Sequence, residues 1–101
     1  MAATIYRYRF GDGVPFQDVE ESLLLGVLAA EGLYGAARVG MDACYCYAKE
    51  RRACVIDATS DVGLAIARIF TSFLLHQFGP DAFRVEVVEP APGCQAAGAC
   101  A

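Results

Sequence analysis

Two cysteines two positions apart, Cys44 and Cys46, have the spacing that most directly indicates chemistry in this sequence. On a β-strand both thiols would project from one face, with Cα atoms about 6.6 Å apart at a rise of about 3.3 Å per residue. That separation is long for a disulfide between them. Two thiolates can ligate a soft metal such as zinc or copper, with further sulfur from Cys94 and Cys100. A thiol-dependent metal site at these four residues is therefore the alternative to inert, packed cysteines.

Three arginines and one aspartate form a second candidate site. Arg7, Arg9 and Arg84 alternate with apolar residues in two predicted strands, and Asp57 lies near the end of a third. Residues that alternate in this way lie on one face of a sheet, so we predict a binding surface there for an anion or for a second copy of the chain. The other interpretation is a solvated face of arginine–carboxylate pairs, each contributing about 0–1 kcal/mol.

The remaining motifs favour structural roles. Gly11-Asp12-Gly13 precedes a predicted helix, as a phosphate loop does, but it lacks the lysine and the full glycine spacing. His76, the one histidine, lies near a predicted helix end, where a cation suits the helix dipole. We therefore name no catalytic residue and no cofactor, and we favour a protein that is not an enzyme.

Composition limits the class of protein. With 101 residues the chain is long enough for one domain, and a hydrophobic fraction of 56% with only 20% charged residues predicts that it either packs very fully or buries apolar surface in an oligomer. A net charge of −4 argues against nucleic-acid binding, which needs a basic face. No apolar run has the length of a membrane span, and no signal peptide is recognisable. Five cysteines cannot all pair within the chain, which favours reduced thiols in the cytoplasm.

The chain reads as four strands and two helices followed by a tail. Period-two alternation predicts strands, and apolar residues at helical spacing predict helices. The predicted elements are a strand at 4–10, a helix at 15–33, a hairpin with arms at 39–47 and 53–58, a helix at 61–78 and a strand at 83–87. We predict one domain over residues 1–89 and a flexible tail, rich in proline, glycine and alanine, over residues 90–101.

The hairpin fixes its own register if Lys49 lies opposite Arg52 across a tight turn. Tyr45 then pairs with Ile56, Cys46 with Val55, and Tyr47 with Cys54. The side chains predicted to face the core are Val39, Met41, Ala43, Tyr45, Tyr47, Cys54, Ile56 and Ala58 from the hairpin, with Tyr6, Tyr8, Phe10, Phe83, Val85 and Val87 from the other strands. For the helices we predict core stripes of Val19, Leu23, Val27 and Ala30, and of Val62, Ile66, Ile69 and Phe73.

The order βαββαβ resembles the ferredoxin-like fold over about residues 4–88, a resemblance of topology only. It implies an antiparallel sheet in the order 4-1-3-2 with both helices on one face. From right-handed crossovers we further expect the first and third strands side by side and parallel in the centre. That fold hosts many functions and implies none.

Both predicted helices are apolar over more than half of their circumference, which one helix layer on one sheet cannot bury. We therefore predict a homodimer or larger assembly through the open sheet face or the outer sides of the helices, with another protein as a possible further partner. The leading functional hypothesis is a non-enzymatic, self-associating interaction or accessory module.

Overall fold

Strand β1 (Ile5–Phe10) lies inside a four-stranded sheet in the computed structural model, which describes residues 4–88. Over these residues the chain forms an α+β arrangement with an antiparallel sheet and three α-helices. After β1 the elements are α1 (Phe16–Tyr34), α2 (Ala36–Asp42), β2 (Tyr45–Ala48), a 3-10 turn (Lys49–Arg51), β3 (Ala53–Asp57), α3 (Asp61–Phe78) and β4 (Phe83–Val88). The predicted tail, with Cys94 and Cys100, lies outside the described residues.

The strand order is β2-β3-β1-β4, which is the predicted order read from the other edge. The predicted parallel orientation of the central pair is wrong, because β1 runs antiparallel to both β3 and β4. Each helical crossover joins two strands with a third strand between them, β1 to β2 across β3 and β3 to β4 across β1. The strands that run parallel are therefore β1 with β2 and β3 with β4, and neither pair is adjacent in the sheet.

The first half of the predicted second strand is a helix, α2. Gly35 ends α1 with a φ of 89°, and the chain turns directly into a second short helix. Two alanines begin that helix, and Arg38 pairs with Asp42 one turn later at 3.4 Å. Val39 is buried as predicted, but on a helix, while Met41, predicted to face the core, is 85% exposed.

The predicted hairpin register is confirmed for β2, the part of the predicted strand that is extended in the structure. Tyr45 lies opposite Ile56, Cys46 opposite Val55, and Tyr47 opposite Cys54. The turn closes with the N–H of Arg52 donating to the carbonyl of Lys49 at 3.1 Å, the predicted opposition.

Arg52 holds the hairpin turn against the loop before α1. Its backbone has a φ of 51°, in the left-handed region. Its guanidinium donates to the carbonyl of Gly11 at 2.8 Å and to the carbonyl of Val14. These bonds offset the cost of the backbone conformation and join two loops at one end of the sheet.

The core lies between the sheet and the helices α1 and α3. The predicted stripe of α1 is confirmed, since its four members are buried. The two helices pack closely at Gly26, where a Cβ would make an ordinary contact, 3.6 Å from the backbone of α3. Beside it, the hydroxyl of Ser22 donates to Oε1 of Gln77 at 2.7 Å, a polar contact with Ser22 buried between the helices.

Helix α3 has the predicted bounds but a different rotation about its axis. Ser60 caps it as predicted, accepting from the N–H of Gly63 at 3.0 Å. Phe70 and Leu74 are fully buried, whereas Ile69 and Phe73, assigned to the core stripe, are only partly buried. The reason is that apolar residues cover most of this helix. The small residues Gly63, Ala67 and the aromatic Phe70 decide which side meets the sheet.

Candidate interaction surfaces

The inner face of the sheet packs against α1 and α3, and the opposite face, the open face, carries the predicted binding residues. One row crosses all four strands on the open face in the order Cys46, Val55, Arg7, Glu86. Arg9 and Arg84 lie opposite each other one row away. The alternation in each strand therefore predicted the correct face for these side chains.

Glu86, a carboxylate outside the four predicted binding residues, pairs with two of the predicted arginines. Glu86 accepts from Nη2 of Arg7 at 3.1 Å and lies 3.0 Å from Nε of Arg9. The hydrogen bond from Arg7, with the charges of Arg7, Arg9 and Arg84, holds the pKa of Glu86 below its ordinary value. All these groups are partly solvated, so the pairs orient the side chains more than they stabilise the fold.

The other two predicted residues lie away from this cluster. Asp57 lies opposite Ile5 at the far end of β3, where its Oδ1 accepts from the N–H of Thr59 at 2.9 Å. Arg84 is exposed and, within residues 4–88, forms no ion pair, while its cross-strand neighbour is the like-charged Arg9. The structure thus groups Arg7 and Arg9 on one carboxylate and leaves Arg84 to solvent. Anion binding by the four residues stays a prediction.

The cysteines lie on different parts of the sheet. Cys46 is on the edge strand β2 with its side chain toward the open face, and the carbonyl of Cys44, just before that strand, accepts from the N–H of Asp57. Cys54 is buried on the inner face, and burial raises the pKa of its thiol far above the ordinary value. Over residues 4–88 no three histidine, cysteine or acidic side chains cluster to hold a metal ion.

A metal site that uses Cys94 and Cys100 stays a prediction, because both lie outside the described residues. Cys44 and Cys46 alone supply two sulfur ligands, which is fewer than a structural zinc site requires.

An apolar groove of about 510 Å³ lies between α3 and the edge strand β4. Its lining includes the apolar side chains Tyr6, Leu64, Leu75 and Val85. Tyr8 also lines it, and the phenol oxygen lies 2.7 Å from Oγ1 of Thr71 and 3.3 Å from the carbonyl of Ala67. The groove exists because α3 packs on Tyr8 of β1 and leaves the inner face of β4 exposed at Val85 and Val87.

The prediction that Val85 and Val87 belong to the core is therefore wrong. They lie on the inner face, but Val85 is 40% exposed and Val87 is 70% exposed. Phe83, at the start of the same strand, does pack against the core. A second hollow of about 670 Å³, lined mainly by 80–84 with Arg9 and Glu86, also borders β4.

A second apolar group lies on the outer side of α1. Leu24, Leu25 and Leu28 are each about half exposed, and Leu33 is more so. Leu24, Leu25 and Leu28 lie outside the buried stripe of the helix, as the sequence predicted, whereas Leu33 lies at the end of the helix near the stripe.

Comparisons with protein-family models, curated proteins and solved structures found no match. The surfaces described above are therefore the basis for any functional conclusion. Among the described residues, no helix has the length and apolar character needed to cross a membrane.

Proposed function

We propose that this chain is a non-enzymatic, ferredoxin-like domain that associates with a second copy of itself and serves as an interaction module. The βαββαβ order and the sheet order β2-β3-β1-β4 support the ferredoxin-like assignment. Helix α2 is then an addition that takes the place of the first half of the second strand.

The observation that carries the proposal is the grouping of exposed apolar side chains. The first group, Leu75, Val85 and Val87, lies along β4 and the adjacent flank of α3. The second group, on α1, consists of Leu24, Leu25 and Leu28. Monomeric proteins rarely expose large continuous apolar patches. Two separate groups allow the domain to bind its own copy with one and a different protein with the other.

We place the domain in the cytoplasm. The odd number of cysteines suits a reducing compartment, and Cys46 and Cys54 form no disulfide among the residues that the structure describes. Cys54 lies in the core, where a reduced thiol packs as a small apolar side chain.

Sedimentation equilibrium of the full chain at micromolar concentration tests the proposal. We expect the mass of two chains, with dissociation on dilution. Val87→Asp should raise the dissociation constant at least about tenfold, because it places a charge in the apolar contact. Met41→Asp is the matched control, since Met41 is even more exposed but lies on α2, outside both groups. A mass of one chain throughout the concentration range would refute self-association.

A second prediction concerns the exposed leucines of α1. Leu28→Asp should leave the self-association unchanged, because we assign α1 to a different partner. A Leu28→Asp protein that becomes monomeric while Val87→Asp stays dimeric would place the self-association on the helices instead.

A further inference from the structure

Among residues 4–88, strand β4 has one edge that pairs with no other strand. It pairs with β1 on one side, and it is the last strand in the order of the sheet. Exposed edge strands invite pairing with another chain unless charges, prolines or bulges prevent it. The sequence of β4 from Phe83 to Val88 has no proline, and three of its last four residues are valines.

The backbone groups of alternate residues of β4 point away from β1. The N–H of Gly11 donates to the carbonyl of Ala82 at 3.1 Å, and Gly11 and Ala82 continue the register of the β1–β4 pair. In an antiparallel ladder hydrogen-bonded pairs alternate with pairs that are not bonded. Even-numbered residues of β4 therefore bond to β1, while Phe83, Val85 and Val87 direct their N–H and carbonyl groups outward.

Charge and strand overlap together select one register for a second copy of this strand. With the inner faces together, an axis at Val87 pairs only residues 86–88 of β4, whereas an axis at Val85 pairs residues 83–87. The other candidate axes lie at Arg84 and at Glu86. An axis at Arg84 or at Glu86 sets a charged residue against its own copy, which is unfavourable. An axis at Val85 sets Arg84 opposite the partner's Glu86, twice. Within one copy, the cross-strand neighbour of Arg84 in the described sheet is the like-charged Arg9.

We infer that two copies of the chain pair their β4 strands antiparallel, with Val85 opposite the partner's Val85, to form one eight-stranded sheet. The inference rests on the proposed self-association and names its surface. Val85 meets the partner's Val85 and Val87 meets the partner's Phe83 on the inner face. The grooves beside the two α3 helices then adjoin, so each copy covers the other's exposed Val87 and Leu75.

The outward groups of the three odd-numbered residues supply up to six hydrogen bonds between the copies. Such a contact is small beside a standard protein interface, so we expect dissociation in the micromolar range.

Val85→Pro tests the pairing without disturbing the sheet of one copy. The N–H of Val85 points outward, so its loss removes no bond to β1, and proline is tolerated at such an edge position. Because Val85 lies opposite its own copy, each chain loses one N–H donor at the contact, and the dimer loses two hydrogen bonds. We expect the dissociation constant to rise roughly tenfold or more, with an unchanged circular dichroism spectrum.

Val85→Cys tests the register directly and covers the case in which the proline variant fails to fold. Hydrogen-bonded neighbours have Cα atoms about 5.5 Å apart, which is within the range that a disulfide spans. Under mild oxidation, peptide mass spectrometry should find a disulfide joining position 85 of two copies. Val87→Cys is the control, because its self-pairing is four residues out of register and should give no such link.

The outcomes separate this inference from the proposed function. A monomeric parent protein refutes both. If a chain ending at Pro90 then dimerises, the segment after residue 90 is what occupies the groove in the parent protein. A parent dimer that gives no link at position 85 refutes the edge pairing alone. Dimerisation with the link at position 85 and none at position 87 supports it.

Discussion

Replacing Gly63 by alanine tests how closely α3 approaches the sheet. Gly63 lies in the first turn of α3, beside the end of β3. A Cβ at this position would overlap the carbonyl oxygen of Asp57 and would lie 3.0 Å from its carbonyl carbon. It would also lie 3.2 Å from Oγ of Ser60, the atom that caps the helix. Neither neighbour is the flexible end of a long side chain, so the helix itself must move.

The expected loss follows from opposing contributions. Alanine gains about 1 kcal/mol over glycine in helix propensity. Overpacking costs about 1–3 kcal/mol, and a weakened cap adds about 1 kcal/mol. We expect Gly63→Ala to lower the free energy of unfolding by about 2 kcal/mol, which lowers the melting temperature by roughly 8–16 °C.

Gly26→Ala is the matched control. Its Cβ would lie 3.6 Å from the carbonyl oxygen of Ile66, which is an ordinary contact. Helix propensity should then prevail, so stability should be unchanged or higher by up to about 1 kcal/mol. Urea unfolding followed by circular dichroism, with equal slopes for all three proteins, measures the difference. A Gly63→Ala protein as stable as Gly26→Ala would refute the packing of α3 against β3.

Three further predictions concern the core and the thiols. In urea unfolding, Phe70→Ala should lower the free energy of unfolding by about 3–5 kcal/mol and Ile69→Ala by only about 1 kcal/mol. A larger loss for Ile69→Ala than for Phe70→Ala would support the rotation of α3 that the sequence predicted. Burial raises the pKa of Tyr8 to about 12 from an ordinary 10.0, so its contribution to stability is complete below pH 10 and is lost between pH 10 and about 12. Tyr8→Phe should therefore flatten the fall in stability over that interval, and an unchanged fall would contradict the assignment. In the native protein Cys46 should be alkylated at least about tenfold faster than the buried Cys54, whose raised pKa disfavours the thiolate; equal native rates, with the denatured chain as the reference, would contradict the burial.

Local signals account for the elements that the sequence predicted correctly. Ser60 and Gly79 bracket α3, and the predicted bounds hold because both residues act as caps. Helix α2 was not predicted because the spacing of its core-contacting residues fits both the two-residue period of a strand and the helical period of about 3.6 residues. Val39 and Ala43 are four positions apart, which places them on one face of a strand and equally on one side of a helix. Both contact the core, so burial did not distinguish the two structures.

The interaction surfaces were predicted less completely, for a physical reason. Alternation assigns Arg7 and Glu86 to faces of their own strands, but their contact depends on how two distant strands align. The same limit applies to Val85 and Val87. Period two places a side chain on the inner face, whereas the width of the helix layer decides whether anything covers it.

The position of β1 in the sheet has a consequence for how the chain acquires its structure. Every partner of this strand comes from much later in the sequence, since Ile5 lies opposite both Asp57 and Val88. Closing such long loops is entropically costly, and folds rich in distant contacts form slowly. During synthesis one edge of β1 stays unpaired until β4 leaves the ribosome, even after β3 can pair with the other edge. We expect nascent chains to depend on chaperones until that last strand docks.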